Sequence, residues 1–166
     1  MFHRALVLTS LLMLPLAAPS FAHDAGHDHG DHEVSAGALT VVHPWARAAK
    51  AGEASMVFFE MKNAGDPVQL VGAETELAES VELVGAMPNA EGAMDYQAVG
   101  PVTIAPGAFA LEPQGLGLRL NGLTSDLVKG EDFELEVEFA DGTHVHLHVE
   151  VEAADATQHS HAGHSH

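Results

Sequence analysis

Residues 37–152 are expected to form an all-β domain, a sandwich or barrel, with a His-rich tail on either side. Three observations point there. Apolar and polar residues alternate in short runs, and little of the chain has a helical period. Turn signals such as Asn63 to Pro67, Pro106-Gly107 and Asn121-Gly122 separate those runs at short intervals. The last run reads as a β-hairpin around Asp141-Gly142. Many short strands with regular turns describe a sandwich or barrel.

In chain order, Ala38 to Trp45 is the first strand, ended by the His43-Pro44 step. Ala54 to Lys62 follows, rich in Met56, Val57, Phe58, Phe59 and Met61. Val68 to Ala73 and Ser80 to Val84 are strands, and a short helix fits between Ala73 and Glu79. Gly85 to Gly92 reads as a loop. Met94 to Val99, Val102 to Ile104 and Ala108 to Leu111 are short strands around Gly100-Pro101 and Pro106-Gly107. Leu116 to Leu120 leads into a turn at Asn121-Gly122, and Leu127 to Glu131 leads to the hairpin.

The hairpin carries the chemistry. Phe133, Leu135, Val137 and Phe139 share one face of its first strand, with Glu134, Glu136 and Glu138 on the other. On the second strand Val145, Leu147 and Val149 share one face, with His144, His146 and His148 opposite. The apolar faces must coincide, which excludes a two-residue loop because that would put Phe139 and His144 on one face. A three-residue loop, Ala140-Asp141-Gly142 with Gly142 left-handed, pairs Glu138 with His144, Glu136 with His146 and Glu134 with His148. Imidazoles facing carboxylates are ligands for zinc or Cu(II). Their structural reading is an outward polar face of Glu-His pairs.

The ends repeat the theme. Met1 to Ala22 reads as a secretory signal, with Arg4, an apolar stretch and a Ser20-Phe21-Ala22 cleavage site. Residues 23–36 then form a His/Asp-rich tail holding His23, His27, His29 and His32. Residues 153–166 form a second tail with His159, His161, His164 and His166. Both tails have almost nothing to bury and are expected to be disordered. Cleavage after Ala22 would give His23 a free α-amine, which with its ring can chelate Cu(II). Outside these clusters His43, beside Pro44, reads as a structural or surface histidine.

Composition narrows the class. Net charge is −18, which argues against nucleic acid and anionic membrane surfaces. The chain has no cysteine, hence no disulfide, no thiolate metal site and no lipid attached by that route. No stretch is long enough for a membrane span. No nucleophile–base pair or phosphate loop stands out, so an enzyme is not expected.

The middle of the chain resembles the PCu(A)C-type periplasmic copper chaperones. The resemblance lies in Val42-His43-Pro44-Trp45-Ala46-Arg47-Ala48, with its Trp-x-Arg-Ala, and in Leu70-Val71-Gly72-Ala73 and Glu79-Ser80-Val81-Glu82-Leu83. Gly52 to Asn63, Ile104 to Gly107, Leu116 to Leu123 and Lys129-Gly130-Glu131 extend it over residues 37–151. It implies a cupredoxin-like Greek-key β-sandwich and an exported copper handler. The family's His/Met copper motif falls here on Val84, Asp95, Gly117 and Arg119, so its Cu(I) site is not expected. What remains is imidazole and carboxylate, which suits Cu(II), with zinc the alternative. The expected function is periplasmic capture, storage or delivery of copper, with a metal-receiving periplasmic or membrane-bound protein as partner. The competing expectation is a sandwich that binds a protein partner and has lost metal function.

Overall fold

The structure is a computed structural model and describes residues 33–160. The leader, together with His23, His27, His29, His32, His161, His164 and His166, lies outside the described residues.

Eleven strands build the domain: β1 (Glu33–Ala36), β2 (Leu39–Arg47), β3 (Ser55–Asn63), β4 (Val68–Glu74), β5 (Ala78–Pro88), β6 (Met94–Ala98), β7 (Val102–Ile104), β8 (Gly107–Leu111), β9 (Leu116–Leu123), β10 (Asp132–Phe139) and β11 (His144–Glu152). They run in the order β6-β5-β9-β3-β2-β11-β10-β4-β7, with β1 on β2 and β8 on β3. The fold is an all-β, cupredoxin-like Greek-key sandwich. Only the β2–β11 pairing is parallel among the described strands. It sets the hairpin's second strand beside the first long strand of the domain.

Alternation builds the core. Phe133, Leu135, Val137 and Phe139 of β10 and Val145, Leu147 and Val149 of β11 are all buried. They join Val41, Val57, Phe59, Leu70, Ile104, Leu111, Leu118 and Leu120 in one cluster. β3 is buried along most of its length, because β2 covers one edge while β9 and then β8 cover the other. Asn63, 2% exposed at its end, donates to the carbonyls of Asp66 and Ile104 at 2.8 and 3.1 Å, so its burial costs no unmet donor.

Several expectations are corrected. No helix occupies 73–79: Thr75 turns the chain by donating to the Glu134 carbonyl at 2.8 Å, and β5 starts at Ala78. β5 runs through the expected loop to Pro88, because the Asn89 side chain caps a tight turn by accepting from the Glu91 and Ala93 amides. Asn121-Gly122 is no turn. β9 continues to Leu123 against β5, and Gly122 takes a φ of +62° facing Glu79. His43-Pro44 does not end β2 but makes a bulge in it, after which pairing with β3 resumes at Trp45.

Both tail boundaries also move. Glu33–Ala36 turns back about Gly37 and pairs with Leu39 to Val42. Residues 153–160, expected to be disordered, pack against the domain. The Ala156 carbonyl accepts from Arg47 Nε at 3.0 Å, and the Ser160 amide donates to Glu152 at 2.7 Å.

Candidate metal centre

The hairpin has the register expected from its alternation. Glu138 opposes His144, Glu136 opposes His146 and Glu134 opposes His148. The loop is Ala140-Asp141-Gly142, closed by bonds from the Phe139 amide to the Thr143 carbonyl and from the Gly142 amide to the Phe139 carbonyl, both 3.0 Å. Gly142 has a φ of +83°, which an L side chain rarely adopts. Asp141 accepts from the Thr143 amide at 2.9 Å, and this bond holds its carboxyl below the usual range.

The side chains do not form an even ladder. Glu136 takes both neighbouring rings: one oxygen bonds His144 Nδ1 on the diagonal, and the other lies 3.1 Å from His146 Nδ1. His148 leans the other way, its Nδ1 3.8 Å from Asp132 rather than toward Glu134. Donor atoms of Glu136, Glu138 and His144 lie within 4.8 Å of one another. Glu136 is three-quarters buried, while His144 and His146 remain open to solvent.

β4 supplies the other wall. Its Glu74 opposes Glu136, and a depression of about 400 Å³ is lined by Glu74, Glu76, Glu134, Glu136 and His146. Gly72 opposes Glu138 and leaves room for its carboxylate, which lies 3.6 Å from where a Cβ would stand. The face therefore gathers carboxylates around two imidazoles with no lysine or arginine among the lining residues. That electrostatic setting suits a cation.

Of the positions that the copper-chaperone resemblance marks, Val84 and Gly117 come together as packing, while Asp95 lies exposed opposite Met87. Val84 pairs with Gly117 across β5 and β9, and Glu82 pairs with Arg119. Val84 packs with Trp45, Met56 and Phe58 in a small apolar cluster. A Cβ at Gly117 would meet Met56 Cε at 2.7 Å and Phe58 Cε1 at 3.0 Å, so the space is filled. Arg119 bonds Glu82 at 2.7 Å and the Tyr96 carbonyl at 3.2 Å, and it holds the Glu82 carboxyl below the usual range. Met87 and Met94 lie exposed at the β5–β6 end.

The expected tail histidine His159 is 3% exposed, with Nε2 3.0 Å from a Glu150 oxygen. His43 stacks on it, ring centroids 5.7 Å apart. The reading of His43 as a structural or surface residue missed this contact, and it passed over Glu150 and Glu152. What sequence signal existed was the alternation itself, which continues past His148 to put Glu150 and Glu152 on the same face of β11.

No helix of the described residues is long and apolar enough to cross a membrane. A comparison with curated proteins gave no match. Among solved structures the chain is similar to an apo PCuAC domain from PmoF1, at 26% identity and a TM-score of 0.63, over 74% of this chain and 99% of that one. It is similar to a copper-bound PCuAC domain from PmoF2 at 22% identity and a TM-score of 0.61, over 74% and 98%. The copper(I) form of DR1885 from Deinococcus radiodurans matches at 25% identity and a TM-score of 0.53, over 69% and 80%. A family model described as LpqE-like lipoprotein matches residues 39–151, and the chain belongs to the LpqE-like family.

Proposed function

We propose that this is an exported metal-binding protein of the copper-chaperone type, working in the periplasm, that takes up Cu(II) through imidazole and carboxylate. The observation that carries the reading is Glu136 holding His144 and His146 together beside Glu138 on one open strand face. Likeness to a copper-bound PCuAC domain and to the copper(I) form of DR1885 supports copper as the cargo. The donor set supports Cu(II) over Cu(I). Cu(I) prefers thioether and thiolate, whereas imidazole and carboxylate suit Cu(II) and, with equal chemistry, zinc.

Chemically, the face captures and releases. Glu136 orients two rings at once, so an arriving ion meets donors already turned outward. His148 and Asp132 extend the face by one more pair. The His-rich termini raise the local supply of ligands, with His23, His27, His29 and His32 at one end and His161, His164 and His166 at the other. Exposure of His146 and His148 leaves the ion accessible to a receiving protein, which is the geometry of handover rather than burial.

The test is a competition titration of the whole chain with Cu(II), Zn(II) and Cu(I), beside His144→Ala/His146→Ala/His148→Ala. The expected result is Cu(II) bound ahead of Cu(I), with at least one equivalent weakened roughly tenfold or more in the variant. Release should follow acidification, because protons compete with the metal for imidazole. Unchanged Cu(II) binding in the triple variant would remove the hairpin as the site. Zinc held more tightly than Cu(II) would make zinc the cargo.

A further inference from the structure

We propose a second site for a divalent transition cation, formed by Glu150, Glu152 and His159 with the His43 ring beside them, and closed by residues 153–160. It is independent of the hairpin reading, because no residue is shared.

The arrangement is built from parts far apart in sequence. β2 and β11 run parallel, with Glu150 opposite Trp45 and Glu152 opposite Arg47. The chain then leaves β11 and folds back across β2. Arg47 holds it by donating to the Ala156 carbonyl while its guanidinium lies 5.4 Å over the Phe58 ring. Glu152 holds it again by accepting from the Ser160 amide. Burial pushes the Glu152 carboxyl up, but its Ser160 bonds, with His159 and Lys129, hold it below the usual range. Between these two ties His159 is pressed onto Glu150 and His43.

The distances fit an ion. Donor atoms of Glu150, Glu152 and His159 lie within 4.8 Å of one another. Bonds of about 2.0–2.1 Å in a tetrahedron put donors about 3.3 Å apart, so closure needs side-chain movement of about 1.5 Å. His43 and His159 are stacked, ring centroids 5.7 Å and planes 24° apart, so the His43 ring must turn to bring a nitrogen to the ion.

His43 supplies the independent observation. It sits at the β2 bulge with a φ of +50°, uncommon for a residue with a side chain. Its Nδ1 is buried and has no hydrogen-bond partner among the described residues. A purely structural histidine would be expected to satisfy that atom. A cleft of about 210 Å³ opens here, lined by His43, Trp45, Glu60, Glu112 and His159. It contains imidazole and carboxylate but no methionine among its lining residues, so the class is a borderline divalent ion, Cu(II) or Zn(II), and not Cu(I). Exposed Glu60 and Glu112 at the lining add negative potential where a cation would enter.

Trp45 gives the readout. It is the one tryptophan of the sequence, and it lines this cleft. Cu(II) salt is added to the whole chain while Trp45 emission is followed, for wild type, His43→Asn, His159→Asn, Glu150→Gln and His144→Ala/His146→Ala/His148→Ala. Asparagine is used at 43 because it tolerates a positive φ. Quenching by Cu(II), blocked by prior Zn(II), is expected in wild type and in the hairpin variant. His43→Asn and His159→Asn should each move its midpoint roughly tenfold or more to higher Cu(II). Glu150→Gln, which keeps an acceptor for His159, should move it in the same direction. Metal-free emission matching wild type checks that the cleft is intact, and a variant that fails this check leaves the decision to the other two. An unchanged midpoint in the folded variants, or no quenching in wild type, overturns the site and leaves the His159–Glu150 contact as a structural clasp. If only the hairpin variant loses metal, the proposed function stands and this site falls. If only the cleft variants lose it, the reverse holds.

Discussion

Gly117→Ala tests whether the space that the chaperone resemblance marks for a ligand is already full. Gly117 is buried on β9 opposite Val84. Its φ is not in the left-handed region, so alanine meets no backbone penalty there. In a strand, alanine should even gain about 0.5–1 kcal/mol over glycine. Against that stands overpacking. The new Cβ would lie 2.7 Å from Met56 Cε and 3.0 Å from Phe58 Cε1. Met56 Cε is the end of a flexible chain and can swing, although only within the cluster of Trp45, Phe58 and Val84. The Phe58 ring is fully buried and tilted against Trp45 with centroids 4.8 Å apart, so it has little room to give. Overpacking of this kind costs about 1–3 kcal/mol, which leaves a net loss of about 0–2.5 kcal/mol, centred on about 1 kcal/mol. In urea, with a slope of about 1–3 kcal/mol per molar, the midpoint should fall by roughly 0.5 M. Trp45 emission reports it directly. Adding Met56→Ala should recover part of the contact penalty, read as a coupling in the double-mutant cycle. A Gly117→Ala midpoint equal to or above wild type would show that the space is open, and the argument that packing replaces ligation there would fail.

Gly142→Ala should destabilise the domain by about 1–2 kcal/mol through backbone strain alone, since nothing lies within 4 Å of the added Cβ and its φ is +83°. Gly142→Asn should cost less, and equal midpoints for glycine and alanine would contradict the left-handed loop. Glu136→Gln should weaken Cu(II) binding roughly tenfold by loosening both rings, measured by competition titration, whereas an unchanged affinity would mean that the rings orient without it. Glu152→Gln tests the clasp by pH. The Glu152 carboxyl is held below its ordinary value of 4.5, so its contribution is full above that value and fades as pH falls through the folded-state value. The stability gap between wild type and Glu152→Gln should therefore be flat from neutrality to about pH 4.5 and close below it, as followed by urea melts at stepped pH. A gap that widens with acid would reverse the sign and refute the assignment.

What was legible in the sequence follows from local rules, and what was missed follows from their tertiary override. Period-two alternation with two incompatible faces left one loop length for the hairpin, and the register is the one that reasoning required. The apolar face of β3 was equally legible. Asn121-Gly122 carries a turn signal, yet pairing of β9 with the long β5 outweighs it, and glycine serves a close approach to Glu79 instead. The 153–160 segment has little to bury by composition. It is held by Arg47, Glu150 and Glu152, whose proximity depends on a parallel pairing between strands a hundred residues apart. Local pattern does not encode such a contact. The Trp-x-Arg-Ala stretch held a clue, because Arg47 of that motif is the residue that pins the returning chain. Side-chain detail was also hidden: backbone register pairs Glu134 with His148, but the ring turns to Asp132.

The two metal readings meet on one strand face, and strand geometry keeps them apart. His144, His146, His148, Glu150 and Glu152 alternate along β11 on its polar side. At about 3.3 Å per residue, His144 and Glu150 lie about 20 Å apart. No ion is shared across such a gap, since ligand bonds are about 2 Å. On the two proposals the folded domain has separate candidate sites at the two ends of one row, with His148 between them and open to solvent. Their chemistry matches but their access differs. The hairpin end has exposed rings suited to exchange, while the cleft end has buried His159 under a segment that must move for the ion to leave. Release from the cleft should accordingly be slower than from the hairpin. Stopped-flow chelation of the Cu(II)-loaded chain should then show two phases, with the slow phase removed by His159→Asn and the fast phase diminished by His144→Ala/His146→Ala/His148→Ala. A slow phase that survives His159→Asn would refute the division of labour between the two ends of the row.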